Sequence, residues 1–351
     1  MRRETISFKI RDVGMGSAYP VTVQSMTNTD SHDVEATLAQ VEQLASLGAA
    51  IVRVATPNSD VIPSVAEVAR RSSVPIVADV HFSHNIAVAA LEQGIDAVRI
   101  NPGNIGGLEN LKVVVEAAKK YDAAIRIGVN SGSVEKEFLE KYGHPCPEAM
   151  IESLEKYVKC CEELDFRKIV LSVKSSDVPT MIKVNEMVAD RFPYPLHLGV
   201  TEAGTVRGGT IKSSIGIGSL LAHGIGDTVR VSLTGDPANE IPVATGILKA
   251  LGLCKEGVDI VSCPTCGRTQ INLAALAEKV ESLCQPIKRP LKIAVMGCVV
   301  NGPGEAREAD LGIAGGKGIG IIFRKGEVVK KCKEDELLDA FKAELDNLLA
   351  E

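Results

Sequence analysis

The segment IVRVATPNSDVIPSVAEVARRSSVPIVADVHF, residues 51–82, decides the fold class. It begins with a β-branched run, Ile51–Ala55, passes through a stretch typical of a helix, and returns to a second apolar run, Ile76–Asp79. Two such runs separated by a helix are typical of a parallel strand–helix–strand unit. The segment therefore predicts an α/β protein built on a parallel sheet.

The same unit recurs from Val21 to about Gly252. Eight repeats favour a closed (β/α)8 TIM-type barrel, although an open doubly wound sheet has the same alternation. No G-x-G-x-x-G turn follows the first strand, which also favours the barrel. Ahead of it, Thr5–Ile10 is expected to form a hairpin strand that plugs the barrel bottom. The eight strand candidates are Val21–Gln24, Ile51–Ala55, Ile76–Asp79, Ala97–Ile100, Ala124–Gly128, Ile169–Val173, Leu196–Val200 and Thr228–Leu233.

The regular alternation of strand and helix candidates ends near Cys254. A chain of 351 residues exceeds the usual size of one hydrophobic core. We therefore expect a barrel domain over residues 1–253 and a smaller α/β domain over residues 254–351. The elements expected in the second domain are a helix at about 272–283, strands at Ile293–Met296 and Ile319–Arg324, and a terminal helix near Glu334–Leu349.

Composition narrows the class of function. The formal net charge of −6 argues against a general nucleic-acid binder, and an aromatic content of 3% does not suggest a base-stacking surface. No apolar run approaches the roughly 18 residues of a membrane span, and the start MRRETISFKI lacks the apolar core of a signal peptide. We expect a cytoplasmic protein whose nine cysteines stay reduced.

Cationic residues occur at the expected carboxyl ends of the strands, where barrel enzymes place their functional groups. One buried arginine is readily balanced by a nearby carboxylate. Five cations facing only Asp79 and Glu202 leave excess positive charge, which a phosphate or diphosphate would balance. The cations are Arg53, Arg99, Arg126, Lys174 and Arg230, and their polar neighbours are Asn101, Asn130 and Ser232.

Glu202, in the segment TEAG, is the candidate proton donor or charge stabiliser. A carboxyl group in a closed site can have a raised pKa, which suits it to proton donation. A salt bridge to one of the arginines is the structural alternative. His81 follows the third strand and is a second acid–base candidate.

Three cysteines form a second candidate site. Cys263 and Cys266 make a C-x-x-C pair that lets two thiolates face one metal or cluster. Cys298 adds a third thiolate from the segment MGCVVNGPGEA, residues 296–306, where glycines allow the backbone to approach a bulky cofactor. The other six cysteines lack this turn geometry and are expected to be packing or surface residues.

No fourth cysteine or histidine lies near these three in the sequence, and no histidine follows His223. Structural zinc prefers a closed set of four such ligands, so an iron–sulfur cubane with Glu305 at its fourth iron is favoured. A carboxylate binds reduced iron less tightly than a thiolate, so this corner can be exchanged for substrate, which indicates catalysis. A thioredoxin-like redox pair and a zinc site completed by another residue remain open.

The chain resembles the bacterial 4-hydroxy-3-methylbut-2-en-1-yl diphosphate synthase family from about Val23 to Glu305. The motifs that carry the resemblance are VQSMTNTDS, VADVHF, VRINPGN, IRIGVN, LSVKSSD, TEAG, SCPTCGR and GCVVNGPGEA. The resemblance implies reductive ring opening and dehydration of 2-C-methyl-D-erythritol 2,4-cyclodiphosphate, in the non-mevalonate isoprenoid pathway. It also implies that two electrons arrive through a [4Fe–4S] cluster.

The resemblance assigns roles to residues of this chain. It places the cluster on Cys263, Cys266, Cys298 and Glu305, in agreement with the ligand choice above. It makes Glu202 the acidic catalytic residue and puts Asn301, beside the cluster cysteine, within reach of substrate. The substrate-binding positions that it implies are Arg53, Asp79, Arg99, Asn101, Arg126, Asn130, Lys174, Arg230 and Ser232.

The resemblance also implies architecture and partners. The first domain would be similar to dihydropteroate synthase barrels and the second to sulfite-reductase-like modules. Flavodoxin or ferredoxin would supply electrons, and two chains would form a head-to-tail homodimer in which the cluster domain of one caps the barrel of the other.

Two other interpretations of the sequence stay open: a pterin-type condensing barrel with a zinc-stabilised tail, and an iron–sulfur redox sensor or carrier.

Overall fold

A computed structural model describes residues 2–298, 304 and 306–351, so the predicted site residues Asn301 and Glu305 lie outside the described residues. The chain divides into two compact units, Met1–Cys254 and Lys255–Glu351. The division falls one residue after the boundary expected from the sequence. Within the described residues, no helix is both long enough and apolar enough to cross a membrane.

The first unit contains ten strands and nine α-helices in its described residues. Its strands are β1 (Phe8–Ile10), β2 (Val13–Met15), β3 (Thr22–Met26), β4 (Ile51–Thr56), β5 (Ile76–Val80), β6 (Ala97–Ile100), β7 (Ala124–Asn130), β8 (Ile169–Lys174), β9 (His197–Leu198) and β10 (Thr228–Val229). Its helices are α1 (Val34–Ser46), α2 (Ile62–Arg71), α3 (His84–Glu92), α4 (Leu108–Lys120), α5 (Lys136–Tyr142), α6 (Pro147–Glu163), α7 (Val178–Arg191), α8 (Val206–Ala222) and α9 (Glu240–Ala250).

Strands β3 to β10 form an eight-stranded barrel. They pair in parallel in the order β8-β7-β6-β5-β4-β3-β10-β9. A bridge between Leu171 of β8 and Leu196, directly before β9, joins the two ends of the sheet. The predicted TIM-type barrel is confirmed. Its last two strands, β9 and β10, are shorter than the sequence suggested.

The barrel bottom is closed by the β1–β2 hairpin, as the sequence predicted. Ile10 and Met15 of the hairpin are buried against a layer of small and aliphatic side chains inside the barrel. That layer consists of Ile51, Val77, Ala97, Ala124 and Val170, each from a different strand. Because side chains alternate across a strand, the residues two positions later also point inward, and they form the next layer up.

N-cap and first-turn residues define where several helices begin after the loops that precede them. The carboxylates of Asp33 and Asp177 accept hydrogen bonds from backbone N–H groups of the first turns of α1 and α7. Proline stands in the first turn of α2, α6 and α7, where its missing N–H costs nothing. The helices cover the outer face of the barrel and bury the aliphatic residues that alternate with the inward-facing ones.

The second unit is a five-stranded mixed sheet with two helices. Its elements are β11 (Val258–Ser262), α10 (Leu273–Cys284), β12 (Leu291–Met296), β13 (Leu311–Gly315), β14 (Ile319–Arg324), β15 (Glu327–Lys333) and α11 (Leu337–Ala350). Strands β11, β12 and β13 pair in parallel, and β14 and β15 add in antiparallel fashion. The core of this unit joins Ile293, Val295, Ile313 and Ile322 of the sheet to Phe341 of α11.

Candidate functional site

Five cationic side chains meet inside the barrel, above the plug. Arg53, Arg99, Arg126 and Lys174 are buried, and the Arg230 side chain is 15% exposed. We call these five residues the cation cluster. The sequence placed them at strand ends, but Arg53 is followed by three further residues of β4 and Arg126 by four of β7. Arg53 and Arg126 therefore lie within the barrel, whereas Lys174 is the last residue of β8 and Arg230 directly follows β10, as expected from the sequence.

Asp79 is the carboxylate at one side of the cation cluster. Its oxygens lie 3.2 Å from Nη1 of Arg99 and 3.5 Å from Nε of Arg53, and Nε2 of His81 lies 3.4 Å away. Burial opposes ionisation of Asp79. Arg53, His81 and Arg99 together outweigh it and hold the pKa of this carboxyl far below its usual value. Asp79 is therefore a permanent anion that orients two arginines.

Glu240, in the first turn of α9, is the second carboxylate of the cluster. It lies 3.3 Å from both Nε and Nη2 of Arg230 and also accepts hydrogen bonds from Ser25 and from the backbone N–H of Leu233. The expectation that Glu202 is the second acidic counterpart is therefore wrong. The largely buried Arg230 requires a carboxylate partner. The loop between β10 and α9 places Glu240 beside it.

Arg126 and Lys174 have no carboxylate partner among the residues that the structure describes. The Arg126 guanidinium donates to Oε1 of Gln24 at 2.5 Å. Burial, followed by repulsion from Arg53 and Arg99, lowers the pKa of Arg126 well below its usual value. Burial and then repulsion from Arg126 and Arg230 likewise lower the pKa of Lys174. This side of the cluster carries uncompensated positive charge, so an anion would bind there most favourably.

Two glycines in the barrel leave room for the cation cluster. A Cβ atom on Gly128 would lie 2.9 Å from Nε of Arg99, and one on Gly199 would lie 2.6 Å from the backbone oxygen of Arg230 and 2.7 Å from Nζ of Lys174. Side-chain atoms cannot approach this closely without displacement. A larger residue at Gly128 would therefore displace the Arg99 guanidinium, and one at Gly199 would displace both Lys174 and the backbone of Arg230.

The other predicted substrate residues lie further along the strands or in the loops that follow them. Asn101 is buried and accepts from the backbone N–H of Gly103, whereas Asn130 and Ser232 are partly exposed. Glu202 lies after β9 and is exposed, with a backbone φ of 51°. Within the described residues its carboxylate has neither a hydrogen-bond donor nor an ion-pair partner. These four residues do not join the ion-paired network of Asp79 and Glu240.

The three predicted cysteine ligands lie in two adjoining loops of the second unit. Cys263 follows β11 and Cys298 follows β12, and the Gly297 N–H donates to Sγ of Cys263 at 3.2 Å. Cys266 is exposed. Hydrogen bonds from the backbone and side chain of Arg268, aided by Thr269, hold the pKa of the Cys266 thiol below its usual value. These features favour thiolates that can ligate soft metals.

The thiol loops pack together through Thr269. Its N–H donates to the Cys266 carbonyl, its hydroxyl accepts from the Cys266 N–H, and its side chain lies against Gly297. In the described part of the chain, no three His, Cys, Asp or Glu side chains are grouped tightly enough to hold a metal ion. The donor chemistry of three cysteines on neighbouring loops nevertheless fits an iron–sulfur cluster, and Glu305 lies outside the residues described.

Sequence reasoning missed Gln24, His197 and Glu240. Gln24 and His197 are polar residues at inward-facing positions of short apolar strands, and that contrast was the signal available for them. Glu240 carries no comparable signal, because an acidic residue in a first helical turn is common for its interaction with the helix dipole.

Comparison with known proteins covers both units. Residues 5–245 match the GcpE TIM-barrel domain and residues 259–347 match the GcpE protein C-terminal domain. A protein of Clostridium perfringens is 55% identical over 338 residues, covering 96% of this chain and 97% of its own length. One of Caldanaerobacter subterraneus is 54% identical over 351 residues, covering 100% and 99%. Both are named 4-hydroxy-3-methylbut-2-en-1-yl diphosphate synthase (flavodoxin).

Solved structures show the barrel fold alone. A sialic acid synthetase of Leptospira borgpetersenii superposes with a TM-score of 0.51 at 12% identity, covering 80% of this chain and 98% of that one. A dihydropteroate synthase of Xanthomonas albilineans gives 0.50 at 14% identity, covering 70% and 98%. With both domains matched and relatives more than half identical over nearly the whole length, this chain belongs to the GcpE family.

Proposed function

We propose that this chain catalyses the reductive ring opening and dehydration of 2-C-methyl-D-erythritol 2,4-cyclodiphosphate to 4-hydroxy-3-methylbut-2-en-1-yl diphosphate. The relatives matched over nearly their full length carry the name of the corresponding synthase. The observation that carries the proposal is the cation cluster, in which five buried or nearly buried cations face two carboxylates. A diphosphate supplies the negative charge that this arrangement lacks.

Arg126 and Lys174 are the proposed primary anion-binding residues. Neither is balanced by a carboxylate among the described residues, so each gains most from a phosphate oxygen. Arg53, Arg99 and Arg230 are held in place by Asp79 and Glu240 and would orient the rest of the cyclic diphosphate. As the ring opens, negative charge grows on the released phosphate oxygen, and these fixed cations stabilise it. Asn101, Asn130 and Ser232 would add neutral hydrogen bonds at the mouth.

Cys263, Cys266, Cys298 and Glu305 would hold a [4Fe–4S] cluster. When bound, such a cluster supplies electrons one at a time to the substrate carbon–oxygen bond that is to be cleaved. The residues around it prepare the ligands: Arg268 favours the Cys266 thiolate, and the Gly297 N–H donates to the sulfur of Cys263. Asn301 would contact substrate from the same loop as Cys298.

Glu202 is the proposed acid that protonates the departing hydroxide. It is exposed, lies at the carboxyl end of the barrel, and has no competing cation partner among the described residues. Its backbone lies in the left-handed region, which costs a non-glycine residue about 1 kcal/mol. Nε2 of His81 lies 3.4 Å from Asp79, so this carboxylate competes for any proton that His81 would give to substrate.

The electron donor and assembly complete the proposal. The name of the relatives supports flavodoxin as donor, with ferredoxin as the other small carrier of suitable chemistry. We also propose a cytoplasmic location and a head-to-tail homodimer, in which the thiolate site of one chain serves the cation cluster of the other.

Anaerobic reconstitution tests the proposed activity. The full-length chain is loaded with iron and sulfide, mixed with the cyclodiphosphate and a strong chemical reductant, and followed by phosphorus NMR. The proposal expects a brown protein that converts the cyclic diphosphate to a linear one. A colourless, zinc-loaded protein without conversion would favour the zinc-stabilised condensing barrel instead.

A further inference from the structure

A small cavity lies inside the barrel, between the plug and the cation cluster. It offers about 20 Å³ to the centre of a water molecule, and roughly 10–15 Å³ is enough to hold one water. Most of its wall is aliphatic. Four polar side chains also line it, namely Gln24, Arg126, His197 and Thr228, and each is at least nine-tenths buried.

Three polar atoms of these side chains have no hydrogen-bond partner among the described residues. They are Nε of Arg126, Nε2 of His197 and Oγ1 of Thr228. Leaving a buried polar group unpaired costs about 1–3 kcal/mol, so three in one cavity require an explanation. The side chains that carry these atoms line a cavity large enough for the usual explanation, which is a bound water.

The chemistry of the three atoms matches one water molecule. Arg126 Nε can only donate. Burial, followed by repulsion from Arg126 and Lys174, lowers the pKa of His197 well below its usual value, so its imidazole is neutral and one ring nitrogen accepts. A water that accepts from Arg126 can donate to Nε2 of His197 and to the hydroxyl of Thr228, which makes three hydrogen bonds, as internal waters typically do.

We propose that one water is bound in this cavity and that His197, acting through it, positions the guanidinium of Arg126. Gln24 holds Nη1 of the same guanidinium directly at 2.5 Å. Together the two contacts fix both the tilt and the rotation of the arginine head. The inference rests on the proposed function, since Arg126 is the residue that receives the substrate anion. His197 and Thr228 are positioning residues and do not touch substrate.

Paired variants of the anaerobically reconstituted full-length protein test the inference. His197→Leu removes the acceptor and should weaken cyclodiphosphate binding about 10-fold, the effect of losing one hydrogen bond to a charged group. The catalytic constant at saturation and the cluster absorbance should stay unchanged. His197→Gln restores an acceptor near the position of Nε2 and should recover affinity to within about threefold of wild type. His223→Leu, at an exposed histidine, is the matched control.

A second pair protects the test against misfolding at position 197. Thr228→Val keeps the shape of the side chain but loses the hydroxyl, and should weaken binding by about threefold, whereas Thr228→Ser should not. Affinities of His197→Leu and Thr228→Val equal to that of wild type would overturn the positioning role. An equal loss in His197→Leu and His197→Gln would also overturn it, because shape rather than the acceptor would then matter.

A high-resolution crystal structure of the wild-type protein tests the water itself. Electron density within hydrogen-bond distance of Arg126 Nε, His197 Nε2 and Thr228 Oγ1 supports the proposal, and its absence overturns it. Wild-type protein that holds this water yet fails to bind the cyclodiphosphate would refute the proposed function and leave the water site standing.

Discussion

The guanidinium of Arg99 occupies the space beside Gly128: a Cβ atom on this glycine would lie 2.9 Å from Nε of the arginine. Arg99 in turn donates to Asp79 at 3.2 Å, so the missing side chain of one residue protects the ion pair of another. Strand β7, which carries Gly128, pairs with β6, which carries Arg99. The anion site therefore depends on a residue that contributes no functional group.

Gly128→Ala should lower the affinity for the cyclodiphosphate by about 10-fold, or about 1.4 kcal/mol. The new methyl group displaces the Arg99 guanidinium and weakens its contact with Asp79. Isothermal titration measures the effect. Gly246→Ala, where nothing lies within 4 Å of the added atom, is the control and should bind normally. Normal binding by Gly128→Ala would show that Arg99 tolerates displacement.

Lys174 should take up a proton when the anion binds. Burial and then the neighbouring arginines lower its pKa in the free protein. A bound diphosphate favours the ammonium form and raises that pKa again. Affinity should therefore fall as pH rises through the free-protein pKa. Titrations over a range of pH in buffers of different ionisation enthalpy detect the uptake.

Matched lysine variants assign that proton. Lys174→Met should abolish the buffer dependence, and Lys212→Met, at an exposed helical position, should keep it. Heats that are independent of buffer in the wild-type protein would contradict a depressed pKa at Lys174.

Glu240→Gln should destabilise the barrel by about 3 kcal/mol, because it leaves Arg230 buried without its carboxylate. Inorganic pyrophosphate should restore part of this loss, so its stabilising effect on the thermal midpoint should be larger in the variant. Glu162→Gln removes the more exposed pair with Arg167 and should cost less than about 1 kcal/mol. An equal pyrophosphate shift in wild type and Glu240→Gln would argue against anion binding beside Arg230.

Cys298→Ser should lose both the cluster and the activity. Glu305→Ala should keep some cluster but turn over poorly, because three thiolates remain. Cys332→Ser, on the edge strand β15, should have wild-type absorbance near about 400–420 nm and normal iron content. Full activity in Cys298→Ser or Glu305→Ala would refute the proposed ligand set.

Mixing two inactive chains tests the proposed head-to-tail homodimer. Arg126→Met should disable the cation cluster but keep the thiolates, and Cys298→Ser should do the reverse. If each site pair is built from two chains, a mixed dimer keeps one intact site of two and should recover about half of wild-type activity, or about a quarter when the variants assort at random. No recovery in a verified mixed dimer would indicate that both sites of one chain act together.

The barrel was predictable because its signal repeats. Each of the eight strand candidates overlaps an observed strand, since β-branched runs buried on both faces have few alternatives. Strand β15 was missed because it is an exposed edge rich in lysine, where apolar alternation is not required. Strand β13 was missed because its glycines resembled a loop. One of them, Gly312, instead lies beneath the ring of Phe323.

The candidate site was predictable in its charges but not in their pairing. Arg53 and Arg99 stand at positions that an eight-stranded register brings together with Asp79. The partner of Arg230 depends on how the chain turns into α9, which places Glu240 beside it instead of Glu202. Such contacts follow from loop geometry, which local sequence patterns do not encode.

The ratio of electrons consumed to product formed tests the proposed reaction most directly. Anaerobic wild-type protein is given a measured, limiting amount of a one-electron reductant with excess cyclodiphosphate, and the product is quantified. Ring opening with loss of water consumes two electrons and two protons, so the account predicts one product molecule for every two reducing equivalents. Conversion that proceeds without reductant, or that shows no fixed ratio to it, would contradict reduction of a bound diphosphate as the reaction of this chain.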